Sequence, residues 1–205
     1  MIPRLEMFKS AIFTHRLTVY NESFVQIGKK QKKSKPFAAL WHDAILGRNN
    51  EEIISTFHNF FLSKRDVSHI TLWLDNCTAE NKNWALFSFL VYIVNSEEIC
   101  ADIIEIKYFE PGHTFMAADS FHHKVELSMK RMGNKLYDFQ DFISAVKEAS
   151  KHTEVLAMDL TNFHKWVDYS SQYKLKQIVP RPYIHDVVHI KVEREGGSFN
   201  SLFQT

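Results

Sequence analysis

Hydrophobic and polar positions change period several times along the chain, and each change marks an element. From Ala11 to Gly28 ("AIFTHRLTVYNESFVQIG") β-branched and aromatic residues dominate, which predicts a strand, or two with a kink at Asn21 and Glu22. "KPFAALWHDAILG" (Lys35 to Gly47) reads as the returning strand of a long antiparallel hairpin. From Asn49 to Lys64 the period becomes helical, with Ile53, Ile54, Phe57, Phe60 and Phe61 on one stripe. Asn49 and Asn50 are its N-cap candidates, and Glu51 and Glu52 suit the helix dipole. "HITLWLD" (His69 to Asp75) is a short continuous apolar run, which predicts a strand buried between helices. "WALFSFLVYIV" (Trp84 to Val94) is apolar nearly all round; its length and polar lead-in predict a deeply buried helix. "DIIEIKYFEP" (Asp102 to Pro111) reads as a strand stopped by the proline, and Phe115 to Gly133 as a helix with Gly133 as its C-cap.

The tail is less regular. Phe139, Phe142, Ile143 and Val146 give an amphipathic helix, followed by a strand at "EVLAMDL" and a helix at "NFHKWVDYSSQY". A turn at Pro180 and Pro182, a strand at "HDVVHIKVER" and a frayed end from Gly196 complete the expectation. The order up to Gly133 is hairpin, helix, strand, helix, strand, helix. That is the order of the ribonuclease H fold after its first strand. The residues before Ala11 are too few and too polar for that central strand and its turn. The expected class is therefore α/β, a ribonuclease H-like mixed sheet with flanking helices that lacks the first strand. Residues 1–133 form this core, and residues 134–205 a small α+β extension packed on it.

Composition narrows the picture. At 205 residues and 45% hydrophobic content the chain can bury one sizeable core. A net charge of +1 supplies no global drive toward nucleic acid or membrane. Two cysteines are too few for a disulfide framework and read as reduced thiols of an intracellular protein. No apolar run approaches the ~20 residues of a membrane span, and no leader opens the chain, so a soluble protein with no membrane partner is expected.

Candidate chemistry starts at "LWLDNCTAENKN" (Leu72 to Asn83), where an apolar strand delivers Asp75 at its tip. The carboxyl ends of strands in open α/β sheets are where ligands bind. Alternatively, Asp75 or Asn76 caps the turn that follows. On the late helix, Asp119, His122, His123 and Glu126 fall within a ~100° sector beside an apolar stripe of Phe121, Val125, Met129 and Met132. Such a helix holds its two carboxylates toward a cleft or, as an ordinary amphipathic helix, toward water. Carboxylates from separate elements converging at a strand tip suit two Mg²⁺ or Mn²⁺ ions, which favour oxygen ligands and can hold both reacting oxygens of a phosphodiester. Zinc on His113, His122, His123 and Cys77 is the weaker reading, since no C-x-x-C pair is present. Asp43 and Arg48 are further candidates, Arg48 for a phosphate or for Glu51 or Glu52. "KKQKKSK" (Lys29 to Lys35) reads as a solvated loop, a DNA-backbone contact or a nuclear address.

With these residues in view, the sequence resembles a family of uncharacterised, transposon-derived animal proteins with a ribonuclease H-like, DDE-transposase-type core. The carrying motifs are "YNESF" (Tyr20 to Phe24), "WHDAILGRNNEEIIST" (Trp41 to Thr56), "LDNCTAENKNW" (Leu74 to Trp84) and "GHTFMAADSFHHKVE" (Gly112 to Glu126). The resemblance implies that Asp75 is the second acid of a metal site and that Asp119 or Glu126 is the third. Asp43, Asn76 and His113 would be supporting residues, and Lys29, Lys30, Lys32, Lys33, Arg48 and Lys82 would contact DNA. It departs from the family at Ala79 and Glu80, where Gly-Gln is usual, at Asp43, where Glu is usual, and in the first acidic strand, which would lie upstream of Met1. The expected function is thus a transposase-derived catalytic fragment, ancestrally a Mg²⁺- or Mn²⁺-dependent enzyme that cuts and joins DNA, with activity weak or lost. The alternative is a non-catalytic DNA- or protein-binding module. A nuclear location and a homo-oligomer are compatible with both.

Overall fold

The computed structural model describes residues 17–28, 35–77, 80–110, 116–133, 136–167, 183–194 and 201–204. These carry seven strands and four helices in a mixed α/β arrangement with two small mixed sheets. The chain divides into two compact units, each drawn from two stretches: Met1–Gly47 with Met116–Leu160, and Arg48–Phe115 with Thr161–Thr205. This differs from a division at residue 133.

In the first unit, β1 (Val19–Phe24) and β2 (Phe37–His42) form the expected antiparallel hairpin, and β5 (Glu154–Ala157) joins β2 in parallel. β1 runs through Asn21 and Glu22 without a break, and Ser23 Oγ donates to Asn21 Oδ1 at 2.8 Å. β2 is the central strand, so Phe37 to Trp41 are all buried. Across the hairpin Tyr20 meets Trp41 and Phe24 meets Phe37, aromatic pairs in directly opposed register. Ala38 and Leu40 pack with Phe121 and Val125 of α3 (Ala117–Arg131) and with Ile143 and Val146 of α4 (Phe139–Ala149). Gly133 follows the end of α3 at φ +72°, a left-handed conformation that costs glycine nothing.

The second unit begins with α1 (Asn50–Ser63), whose capping box joins Asn49 and Glu52. β3 (His69–Leu74), α2 (Trp84–Asn95) and β4 (Ile103–Tyr108) form a parallel crossover. β6 (His189–Glu193) pairs antiparallel with β4. α2 is buried on most sides, as its composition requires, and Phe89 stacks on Phe61 of α1 at 6.1 Å.

Three expectations change. β3 is not buried on both faces: Ile70 and Leu72 are inside, but His69, Thr71 and Trp73 face solvent, on the less covered face of a sheet whose strands β4 and β6 alternate in burial in the same way. Its apolar look comes from Trp73, which rests against Phe109 and under Lys107. The end of the chain is not all frayed, since the backbone of Ser201–Gln204 forms β7 along the outer edge of β6. The stretch after Gly133 is no separate appendage, because β5 completes one sheet and β6 and β7 the other. The helix expected over 162–173 is described only to Val167, and the Pro180/Pro182 turn, Pro111 and the lysines from 29 to 33 lie outside the described residues. Among the described residues, no helix is long and apolar enough to cross a membrane.

A histidine cluster ties the segment after β5 to α1. His58 Nε2 lies 2.8 Å from Glu98 Oε2, Tyr92 donates to Glu98 Oε1 at 2.9 Å, and His164 meets His58 edge-on at 5.0 Å. Partial burial, and then the nearby His58, hold the His164 imidazole below the usual range against the pull of Glu98. Burial does the same to His122 in the first unit. Both folded values are depressed, so the unfolded chain binds more protons below about 6.5. Stability is therefore complete above that pH and is lost as pH falls through it toward the folded values. Urea midpoints measured from about pH 7.5 down to about pH 5 are expected to fall, and His164→Gln to flatten the slope.

Candidate functional site

Asp75 follows β3 directly, at the carboxyl end of the parallel pair β3–β4. The Asn81 side-chain amide donates to Asp75 Oδ1. Among the described residues Asp75 Oδ2 has no hydrogen-bond partner. The backbone carbonyl of Asn81 accepts from Tyr108 Oη at 2.6 Å, so the last residue of β4 holds the loop that leaves β3. Burial, with Asp75's charge nearby, pushes the Tyr108 phenol well above its ordinary range, and it remains a donor.

The rest of the loop is held as firmly. Asn83 caps α2 by accepting from the Leu86 amide at 2.9 Å and donates to the Glu80 carbonyl at 3.0 Å. Glu80 faces Arg48 in a two-pronged ion pair, with Nη2 to Oε2 at 2.8 Å. Arg48's hydrogen bonds hold the Glu80 carboxyl below the usual carboxylate range against its partial burial. Beside this pair opens a cleft of about 410 Å³ lined by Arg48, Asn49, Asn50, Glu51, Ile53 and Glu80.

Lys82 is the surprise. It is 1% exposed, and its ammonium donates to Asn76 Oδ1 at 2.7 Å and to the His185 carbonyl at 2.6 Å. It also lies 5.0 Å from the Tyr108 ring centroid, a cation–π contact. Burial lowers its pKa against the pull of Asp186. An ammonium spent in this way braces the loop rather than offering itself to a phosphate.

The other predicted acids belong to the first unit. Asp119 is exposed and accepts from the Met116 amide at 2.7 Å, so it closes the first turn of α3. Glu126 is exposed beside His123 Nδ1 at 3.7 Å. His122 is half-buried, and its Nε2 has no hydrogen-bond partner among the described residues. Asp43 sits in the turn after β2, its amide bound to the Thr18 carbonyl at 3.0 Å. His113 lies outside the described residues, and Cys77 belongs to the second unit while His122 and His123 belong to the first. Within neither unit do the described residues gather three His, Cys, Asp or Glu side chains able to hold a metal. Within the second unit, Asp75 meets Asn81, Asn76 meets Lys82, and Arg48 meets Glu80.

Tyr108 and His185 were missed from the sequence. Tyr108 was findable as the residue at the tip of the neighbouring parallel strand; the His185 contact is a backbone carbonyl and leaves no mark on the sequence.

The fold and this loop define a mixed α/β protein with a braced acid at a parallel strand tip. A family model described as Domain of unknown function (DUF7869) matches residues 32–189, and the chain belongs to that family. No curated protein and no solved structure matches it.

Proposed function

We propose that this chain derives from a ribonuclease H-like, DDE-transposase-type core, and that Asp75 keeps the ancestral role of holding Mg²⁺ or Mn²⁺. The observation that carries the reading is the state of the Asp75 carboxylate: one oxygen is fixed by Asn81 and the other has no partner among the described residues. That donor suits a hard cation. The element order agrees. Such an ion would supply Lewis-acid stabilisation of a phosphodiester oxygen. A single open carboxylate oxygen holds it weakly, so cleavage and joining of DNA is expected as a remnant activity. A DNA partner contacted by Lys29, Lys30, Lys32 and Lys33, and a nuclear location, belong to the same proposal.

Saturating Mn²⁺ is expected to raise the melting temperature of the chain, since an ion at ten times its dissociation constant adds about 1.4 kcal/mol. Asp75→Asn, which keeps an acceptor for Asn81, should abolish the rise. A melting temperature indifferent to Mn²⁺ in both proteins sinks the metal reading.

A second reading is a non-catalytic DNA-binding module. The employment of Asp119 as a helix cap and the solvent exposure of Glu126 favour it. It predicts salt-dependent DNA binding that disappears when the four lysines become glutamine, with no Mn²⁺ response.

A further inference from the structure

Among the described residues, Lys82 is the one lysine, arginine, aspartate or glutamate that is buried. Lysine is almost never fully buried unless its charge is met, and a well-packed apolar side chain of similar volume usually serves stability as well. Among the described residues no carboxylate forms an ion pair with the ammonium; an amide oxygen, a backbone carbonyl and a ring face meet it. Those three groups have one thing in common. Asn76 is the residue next to Asp75, Tyr108 holds the loop through Asn81, and the His185 carbonyl comes from the turn Ile184–Asp186, far along the chain.

We propose that Lys82 is a positioning residue that clamps the Asp75 loop to the Ile184–Asp186 turn and so fixes the direction in which Asp75 presents its open oxygen. The clamp is made of short hydrogen bonds at both ends, and each has a charged donor, the stronger kind. Asp75 itself is restrained from two sides: through its neighbour Asn76 by Lys82, and through its own carboxylate by Asn81, whose carbonyl Tyr108 holds. A carboxylate so restrained loses little freedom when it takes a ligand, and groups behind a metal ligand typically set affinity by roughly 10–100-fold. The ligand half of the proposal rests on Asp75 being the cation ligand; the clamp does not.

The test is Lys82→Met, which keeps most of the length and the apolar bulk and removes the donors, read by amide hydrogen exchange and by Mn²⁺ binding. Exchange at Asn81 and at Asp186 is expected to rise together, roughly tenfold or more, while the core amides of α1 and α2 keep their protection. Mn²⁺ affinity is expected to fall roughly tenfold or more, with no further fall when Lys82→Met is added to Asp75→Asn. Unchanged protection at both segments overturns the clamp. Loosened segments with unchanged Mn²⁺ affinity overturn the positioning role. Absence of Mn²⁺ binding in the unaltered chain removes the reading of Asp75 as a ligand, and the exchange arm alone then decides the clamp. Should Lys82→Met fail to fold, Asn76→Ala cuts one end only: it is expected to loosen Asn81 and leave Asp186 protected, and equal protection in both overturns the proposal.

Discussion

Replacing Trp166 by alanine is expected to destabilise the second unit by about 3–5 kcal/mol. Trp166 is 3% exposed and packs against Phe89 at 4.6 Å, His58 at 5.1 Å and Tyr92 at 6.0 Å. Its indole N–H donates to Ser55 Oγ at 2.9 Å, and Ser55 also accepts from the His164 amide at 3.1 Å and donates to the Glu51 carbonyl at 2.8 Å. Alanine removes the ring from between α1 and α2 and leaves Ser55 short of a donor. Trp166→Phe keeps most of the packing and loses mainly the hydrogen bond, so it should cost nearer 1 kcal/mol, about the net worth of one such bond. Urea unfolding followed by far-UV circular dichroism measures both. A loss under about 1 kcal/mol for the alanine variant means that the segment after β5 is not anchored on α1 as described.

In the first unit the corresponding change is Phe121→Ala, again with an expected loss of about 3–5 kcal/mol. Phe121 is 2% exposed and joins Ala38 and Leu40 of β2 to Ile143 and Val146 of α4. It is the main apolar anchor of α3, whose remaining buried residues are Val125 and Ser128. Asp119→Ala on the same helix removes only a first-turn acceptor and should cost about 1 kcal/mol. Urea unfolding of the two variants side by side separates an anchor from a cap. Equal losses contradict the assignment of Asp119 to the cap alone.

These two residues also mark what the sequence could convey. Phe121 stands on a stripe of helical period, and α1, α3 and α4 are legible from such stripes, as is the hairpin from its β-branched and aromatic residues. Trp166 lies in an irregular stretch, and nothing local to it points to Ser55 or Phe89. Pairing across long separations is hidden for the same reason. β5 joins β2 and β6 joins β4 through backbone bonds that leave no pattern, so the separation into two sheets was not readable. β3 reads as buried on both faces because Trp73 counts as apolar whether it lies in a core or rests on Phe109 at a sheet surface. At the site, Asp75 was legible as a strand-tip acid. Lys82 reads from the sequence as a DNA contact, because the groups that bury it, Tyr108 and the His185 carbonyl, come from other elements. Asp119 was read as a possible ligand because its other employment, the Met116 amide, depends on where α3 begins.

Mn²⁺ titrated into ¹⁵N-labelled protein locates the ion, because paramagnetic broadening reports where it sits. If Asp75 holds the ion, the amide signals of Asn76, Asn81 and Phe109, which surround the tip of β3, broaden first, and Asp75→Asn abolishes the effect. Broadening centred instead on His123 and Glu126, or on His185 and Asp186, or no broadening at all, contradicts it.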